Sequence, residues 1–315
     1  MEYGNGKLKI IFMGTPDFGA PSLLSLIDQV NVLAVVTQPD KKVGRKQEVT
    51  ESPIKKLALK HGIEILQPEK VKGNAEFIQR VKDLQPDLIV VVAYGFILPQ
   101  EILDIPKYGV INVHASLLPK YRGASPIQAA ILNGDKETGV TIMLIDDEVD
   151  HGPVLSEKTI TITSSDNFES LHDKLAQLGA DLLKDTLPKY ISGEIEAVSQ
   201  NEADATYCKI LTKEDGKIDW AKPAEEIERQ VRAFTPWPGS FAYWEDQTLK
   251  VLKAKYHNDN YNDNVGKIFK LKDGFAVVCG QGTLEILELQ LEGKKPMSAK
   301  EFLNGYAGII GSILK

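Results

Sequence analysis

This sequence predicts an α/β fold: a doubly wound, mostly parallel sheet followed by a smaller C-terminal β-barrel. Three observations carry that expectation. Strand-length apolar runs alternate with amphipathic helical stretches through the first half of the chain. The run at 87–93 is apolar almost throughout, as in a strand covered on both faces. Past about residue 251 the pattern breaks into short alternating segments separated by Gly and Asp, the spacing of a small all-β unit.

The elements follow in order. Residues 8–13 read as a buried strand, then a turn at 14–19 leads into a helix ending near Ile27. A second strand covers 30–37, and a polar stretch at 38–51 carries Lys41, Lys42, Arg45 and Lys46. Ser52 and Pro53 open the next helix, a serine cap ahead of a proline whose missing N–H would have no helical partner there. Residues 63–66 form a short strand, and 74–84 a helix with Phe77, Ile78, Val81 and Leu84 on one stripe. Strands at 109–114 and 139–145 flank a helix at 125–132, which completes a Rossmann-like alternation. Residues 154–162 alternate, 167–191 form a long amphipathic helix, and the polar stretch 192–207 reads as a linker. Segments at 266–271, 275–279 and 283–290 build the OB-like barrel. The expected domains are therefore 1–191 and 208–315, joined by 192–207.

Composition narrows the function. A chain of 315 residues suits two domains, and 43% hydrophobic with 26% charged residues excludes disorder. No apolar run approaches a membrane span and the first nine residues lack a signal-peptide core, so no membrane and a cytoplasmic setting are expected. Cys208 and Cys279 are too few for a disulfide framework. With no H-E-x-x-H, C-x-x-C or histidine cluster, no metal is expected. The net charge is −7, yet from Cys208 onward 16 Lys+Arg meet 15 Asp+Glu, so the acidic excess lies in the front part. A near-neutral rear domain permits contact with nucleic acid. No apolar stripe demands a second subunit, and a monomer is expected.

The glycines at 14 and 19 have P-loop spacing, but Ala20-Pro21 stand where Lys and Ser/Thr are required. Nucleotide hydrolysis is disfavoured. The segment is not G-x-G-x-x-G either, which removes the best evidence for a dehydrogenase. Asn112 and His114 are more informative: alternate residues of one strand, they project together at its carboxyl end. Asp150 closes the apolar run that begins at Gly139. A histidine in a strand is also an ordinary structural residue, and Asn and Asp are ordinary turn formers. Convergence separates the readings, because both motifs end strands where such sheets bind ligands. An amide donor, an imidazole and a carboxylate suit the collapse of a tetrahedral acyl intermediate. The loop after His114, with Leu117, Leu118 and Pro119, would line a flat, partly apolar ligand, and 93–99 ends a neighbouring strand in similar style.

The motifs I-N-V-H-A-S-L-L-P at 111–119, R-G-A-S-P-I-Q at 122–128, E-T-G-V-T-I-M at 137–143 and D-H-G at 150–152 resemble the tetrahydrofolate-dependent formyltransferases. The likeness continues through F-M-G-T-P-D-F at 12–18, V-V-A-Y-G at 91–95, K-I-D-W at 217–220, R-A-F-T-P-W-P-G at 232–239 and G-K-K-P-M-S-A at 293–299. It implies that Asn112, His114 and Asp150 are catalytic, with Asn112 and protonated His114 as donors to the oxyanion. Tyr94, Gly95, Ser116, Leu117, Leu118 and Pro119 would bind 10-formyltetrahydrofolate as co-substrate. Among such enzymes the pattern is most similar to those that formylate initiator methionyl-tRNA, in which Lys42 and Arg45 would meet the tRNA and the barrel would help hold it. The alternative is transfer to an amino sugar or another small amine. A folate- or RNA-binding module without catalysis is a third reading, in which the three polar residues would be structural.

Overall fold

The computed structural model describes residues 2–3, 6–43, 48–259 and 261–315. It divides into two units, one comprising Met1–Pro126, Glu137–Ile160 and His172–Cys208, the other Ile127–Lys136, Thr161–Leu171 and Lys209–Lys315.

The first unit is built on β1 (Lys9–Gly14), β2 (Asn31–Val36), β3 (Glu64–Leu66), β4 (Leu88–Val92), β5 (Val110–His114), β6 (Glu137–Leu144) and β7 (Val154–Thr161). They lie in the order β3-β2-β1-β4-β5-β6-β7. Pairing is parallel from β3 across to β5, and antiparallel between β5 and β6. The chain works outward from β1 to β3 and then returns to start β4 on the other side of β1. That reversal opens a crevice at the carboxyl ends of β1 and β4, the customary ligand site of such sheets.

Helices α1 (Ala20–Ile27), α2 (Pro53–Lys60), α3 (Ala75–Leu84) and α4 (Gln100–Leu103) occupy the crossovers, and α5 (Pro126–Asn133) falls between β5 and β6 in sequence. Ser52 caps α2 by accepting from the Lys55 N–H, and Asn74 caps α3 by accepting from Phe77 N–H. Phe77 and Val81 of α3 and Ile102 of α4 bury against Ile11, Met13, Ile89, Val91 and Val110. On the opposite face of β5, Val113 meets the long helix α6 (Phe168–Ser192) so closely that a methyl on Gly179 would lie 2.8 Å from it. Both faces of the sheet are therefore covered, which is why β4, LIVVV, is apolar throughout. The polar stretch 38–51 contains a short antiparallel hairpin, Lys41–Val43 with Glu48–Thr50. Arg45 lies outside the described residues.

In the second unit the strands are β8 (Ser240–Trp244), β9 (Gln247–His257), β10 (Ile268–Leu271), β11 (Gly274–Val278), β12 (Thr283–Leu291) and β13 (Met297–Ser298). They form an antiparallel sheet in the order β8-β9-β12-β11-β10, with β13 on β12. The last residues close it. Lys315 exchanges two backbone hydrogen bonds with Tyr243 of β8, at 2.8 and 3.0 Å. Leu314 N–H donates to the Gly266 carbonyl and Ile268 N–H to that of Ser312, both at 2.9 Å, on the β10 side. The tail thus bridges the two edge strands and leaves a barrel-like unit. Its core joins Trp220, Leu249, Phe275, Leu284 and Ile286 to Ile227 and Val231 of α7 (Ala224–Phe234) and to Phe302 of α8 (Ala299–Gly305).

Within and beside residues 192–207, Val198 bridges to Val154, and Tyr207-Cys208 pairs in parallel with Arg122-Gly123. Residues 127–136 and 161–171, expected in the front domain, group with the second unit. Arg229 of α7 donates to the Leu132 carbonyl at 3.1 Å and Arg232 to that of Asp166 at 2.8 Å. Helix α7 lies outside the expected elements, although Ile227, Val231 and Phe234 repeat at helical spacing and are buried.

Candidate active site

Register brings the candidate residues together. Asn112 lies opposite Val91 of β4 and Met143 of β6, and His114 opposite Thr141. Asp150 belongs to the loop that follows β6, with φ of +51°, a left-handed conformation in which Asp and Asn are the least strained residues after glycine. Its Oδ1 accepts from Asn112 Nδ2 at 3.2 Å and faces His114 Nδ1 at 3.5 Å. Oδ2 accepts from the Gly123 N–H at 2.8 Å. One carboxylate oxygen is thus anchored to backbone, while the other faces both the amide and the imidazole.

The histidine's two nitrogens differ. Nε2 lies 3.0 Å from the Tyr121 carbonyl, which can only accept, so Nε2 carries a proton. Nδ1, turned to Asp150, is the nitrogen left to gain or lose one. Asn112 has a second amide hydrogen beyond the one given to Asp150, available to an oxygen bound at the strand end. Tyr121 holds its carbonyl in place with φ of +60° and its N–H on Thr206 Oγ1 at 2.9 Å. Gly123 has φ of +115°, and a Cβ there would lie 2.2 Å from the Cys208 carbonyl oxygen. Only glycine permits that approach.

The loop expected to bind folate divides by exposure. Leu117 and Pro119 are half-buried and face outward enough to meet a ligand. Ser116 and Leu118 are buried. Ser116 Oγ donates to the Lys120 carbonyl at 2.6 Å, whereas Thr141 Oγ1 donates to the Ser116 carbonyl at 2.7 Å and accepts from the Leu118 N–H at 3.0 Å. These contacts fix the loop's shape from beneath.

At the crevice, Gln38 Nε2 and Thr15 Oγ1 both donate to the Tyr94 carbonyl, at 2.9 and 3.2 Å. Gly95 is exposed with φ of +85°, and a methyl there would fall 2.6 Å from Gln38 Nε2. The Tyr94 ring is buried in the core against Phe96, where burial pushes its phenol well above the ordinary range. What position 94 can present to a ligand is therefore backbone. Lys42 stands in the hairpin, away from this cluster in sequence and paired with Val49.

A group that sequence reasoning missed surrounds the site. Arg122 is completely buried, and each of its five N–H bonds has an acceptor: Nε and Nη2 donate to Gln200 Oε1, Nη2 and Nη1 to Glu202, and Nη1 to the Tyr207 hydroxyl. Its sequence signal was the Arg-Gly pair at 122–123, but the partners lie about eighty residues further on. Among the described residues no group of three or more His, Cys, Asp and Glu could hold a metal ion, and no helix is long and apolar enough to cross a membrane.

Comparison with known proteins fits this geometry. Residues 8–187 match the formyl transferase family and 210–307 its C-terminal domain. The chain is 50% identical to the methionyl-tRNA formyltransferase of Caldanaerobacter subterraneus subsp. tengcongensis, over 98% of this chain and all of the relative. It is 47% identical to that of Citrifermentans bemidjiense, over 98% of this chain and 96% of the relative. The N-formyltransferase of Helicobacter canadensis, solved with folinic acid and dTDP-3-aminofucose, superposes with a TM-score of 0.66 at 20% identity, covering 89% of this chain and 98% of that one. That likeness concerns the fold alone. With full-length relatives at such identity, the chain belongs to the methionyl-tRNA formyltransferase family.

Proposed function

We propose that this chain transfers a formyl group from 10-formyltetrahydrofolate to the α-amino group of initiator methionyl-tRNA. One observation carries the chemistry: Asp150 Oδ1 lies 3.2 Å from Asn112 Nδ2 and 3.5 Å from His114 Nδ1 at the carboxyl edge of the sheet. The names and near-complete coverage of the relatives support the tRNA as acceptor.

In this reading the neutral amine attacks the formyl carbon, a new C–N bond forms, and the carbonyl oxygen becomes an oxyanion. The free hydrogen of the Asn112 amide is a preorganised donor for that oxygen, and one such donor lowers the barrier by about 2.7–4 kcal/mol. Collapse breaks the bond to N10 of the folate. The proton lost by the amine must reach N10, and the pair of His114 Nδ1 and Asp150 Oδ1 is placed to take and return it. The sequence-based role of His114 as a second oxyanion donor is open only to Nδ1, because Nε2–H is engaged by Tyr121. Gly95, Leu117 and Pro119 line the folate, and Ser116, Leu118 and the Tyr94 backbone hold the lining in shape. Lys42 and Arg45 contact the tRNA.

The deciding experiment incubates the chain with 10-formyltetrahydrofolate and charged initiator tRNA. Formylmethionyl-tRNA is the expected product, with inhibition by deacylated initiator tRNA. Formylation of a nucleotide-linked amino sugar, without turnover of the charged tRNA, would overturn the reading. For the basic stretch 38–51, replacing Lys42 and Arg45 by Ala raises KM for tRNA and flattens its logarithmic salt dependence, by roughly 0.7–0.9 for each phosphate no longer neutralised. An unchanged slope would remove both from the interface.

A further inference from the structure

We propose that Gln200 is a positioning residue for formyl transfer, clamping the Asp150 loop from behind while Arg122 fixes the clamp. The inference rests on the reaction proposed above. Its starting point is the backbone of Asp150, held in a left-handed conformation that persists only where the surroundings over-determine it. Gln200 Nε2 supplies that constraint by donating to two carbonyls of one turn, Asp150 at 2.9 Å and Gly152 at 2.7 Å.

The amide can do this in one orientation only. Its oxygen accepts from Arg122 Nε at 3.0 Å and Nη2 at 2.8 Å, which forces the nitrogen toward the loop. Arg122 in turn cannot swing away, because its remaining N–H bonds are held by Glu202 and Tyr207 and the guanidinium is out of solvent. A buried arginine released from such partners would leave a charge uncompensated. The residue after it, Gly123, gives its N–H to Asp150 Oδ2. Backbone and side chain of the Arg122-Gly123 pair therefore grip Asp150 from both ends, one directly and one through Gln200. The 200–207 segment, read from sequence as a linker, thereby sets where the working oxygen of Asp150 points.

The test is a double-mutant cycle in the full chain, read by single-turnover formylation of methionyl-tRNA. Gln200→Glu keeps the acceptor for Arg122 but has no N–H for the two carbonyls. Its rate should fall about tenfold, the scale of a small misplacement at a reacting centre, with KM for both substrates nearly unchanged and Tm lowered by the two lost hydrogen bonds. In an Asp150→Ala background the same change should cost nothing further, since Gln200 acts through Asp150. Rates of Gln200→Glu within twofold of wild type, or losses that multiply in the double variant, would overturn the proposal. If Gln200→Glu does not fold, Gln200→Ala is read by the same cycle. Wild-type chain inactive toward methionyl-tRNA would instead sink the underlying reaction.

Discussion

The candidate site at the sheet edge of the first unit and the barrel of the second draw their stability from different sources. In the barrel, Trp220, Phe275, Phe302 and their neighbours form an apolar core, and the closing contacts are plain backbone pairs from the tail. At the edge, buried polar groups dominate: Arg122, Ser116, Thr141 and His114, each satisfied by a specific partner. Left-handed non-glycine residues distinguish the two regions as well. Ala93, Tyr121 and Asp150 fall in or beside the candidate site, whereas among the described residues of the second unit Glu245, in the tight turn between β8 and β9, is the one such case. Apolar packing tolerates substitution by shape, while a polar network places atoms to tenths of an ångström and fails when one partner goes. The candidate site is built by the second method.

The contrast can be broken most decisively at Asn112 and Asp150. Alanine at either should slow single-turnover formylation by at least about a hundredfold while leaving Tm within a few degrees. A normal rate would reduce the polar edge to scaffolding. Next, Gly123→Ala should destabilise the chain by about 3 kcal/mol or more, since its methyl would collide with the Cys208 carbonyl at a positive φ, and should lower activity as well. Leu314→Ala, 3% exposed in the barrel, should cost about 2–4 kcal/mol in urea unfolding yet leave the single-turnover rate of the folded enzyme at saturating substrates nearly unchanged. Equal kinetic damage from both would erase the distinction.

The smallest effect concerns His151. A hydrogen bond to Asp146 at 2.6 Å, with Glu202 at 3.4 Å, raises its pKa above the ordinary imidazole range. A raised folded value means the stabilisation is fully present below about pH 6.5 and lost as pH climbs through the folded pKa. His151→Gln should therefore lower Tm by about 1 °C near pH 5.5 and leave it unchanged at pH 8.5, solvent screening keeping the effect small. A pH-independent difference would show that packing, not charge, matters there.

Much of the fold could be read from periodicity, and the reasons for the misses are physical. Continuous apolar runs identify covered strands, and the serine before Pro53 marks a helix start. Nothing in a linear pattern reveals that Tyr207 will pair beside Arg122, or that residues 127–136 will bond to Arg229, because those contacts are set by tertiary closure. The closing tail is short and weakly patterned, so only its pairing with Tyr243 and Ile268 identifies it. Strand alternation put Asn112 and His114 on one face of β5, where Asp150 approaches both. Gln200 could not be found that way, since its role depends on an amide orientation imposed by a residue 78 positions away.

Asp150 occupies a backbone state that asparagine accepts as readily as aspartate. Position 150 is thus a place where a negative charge can be erased with almost no change of outline. An Asp150→Asn protein would keep that backbone, yet its amide nitrogen would face a donor, either Asn112 Nδ2 or the Gly123 N–H, so the charge and one acceptor would be lost together.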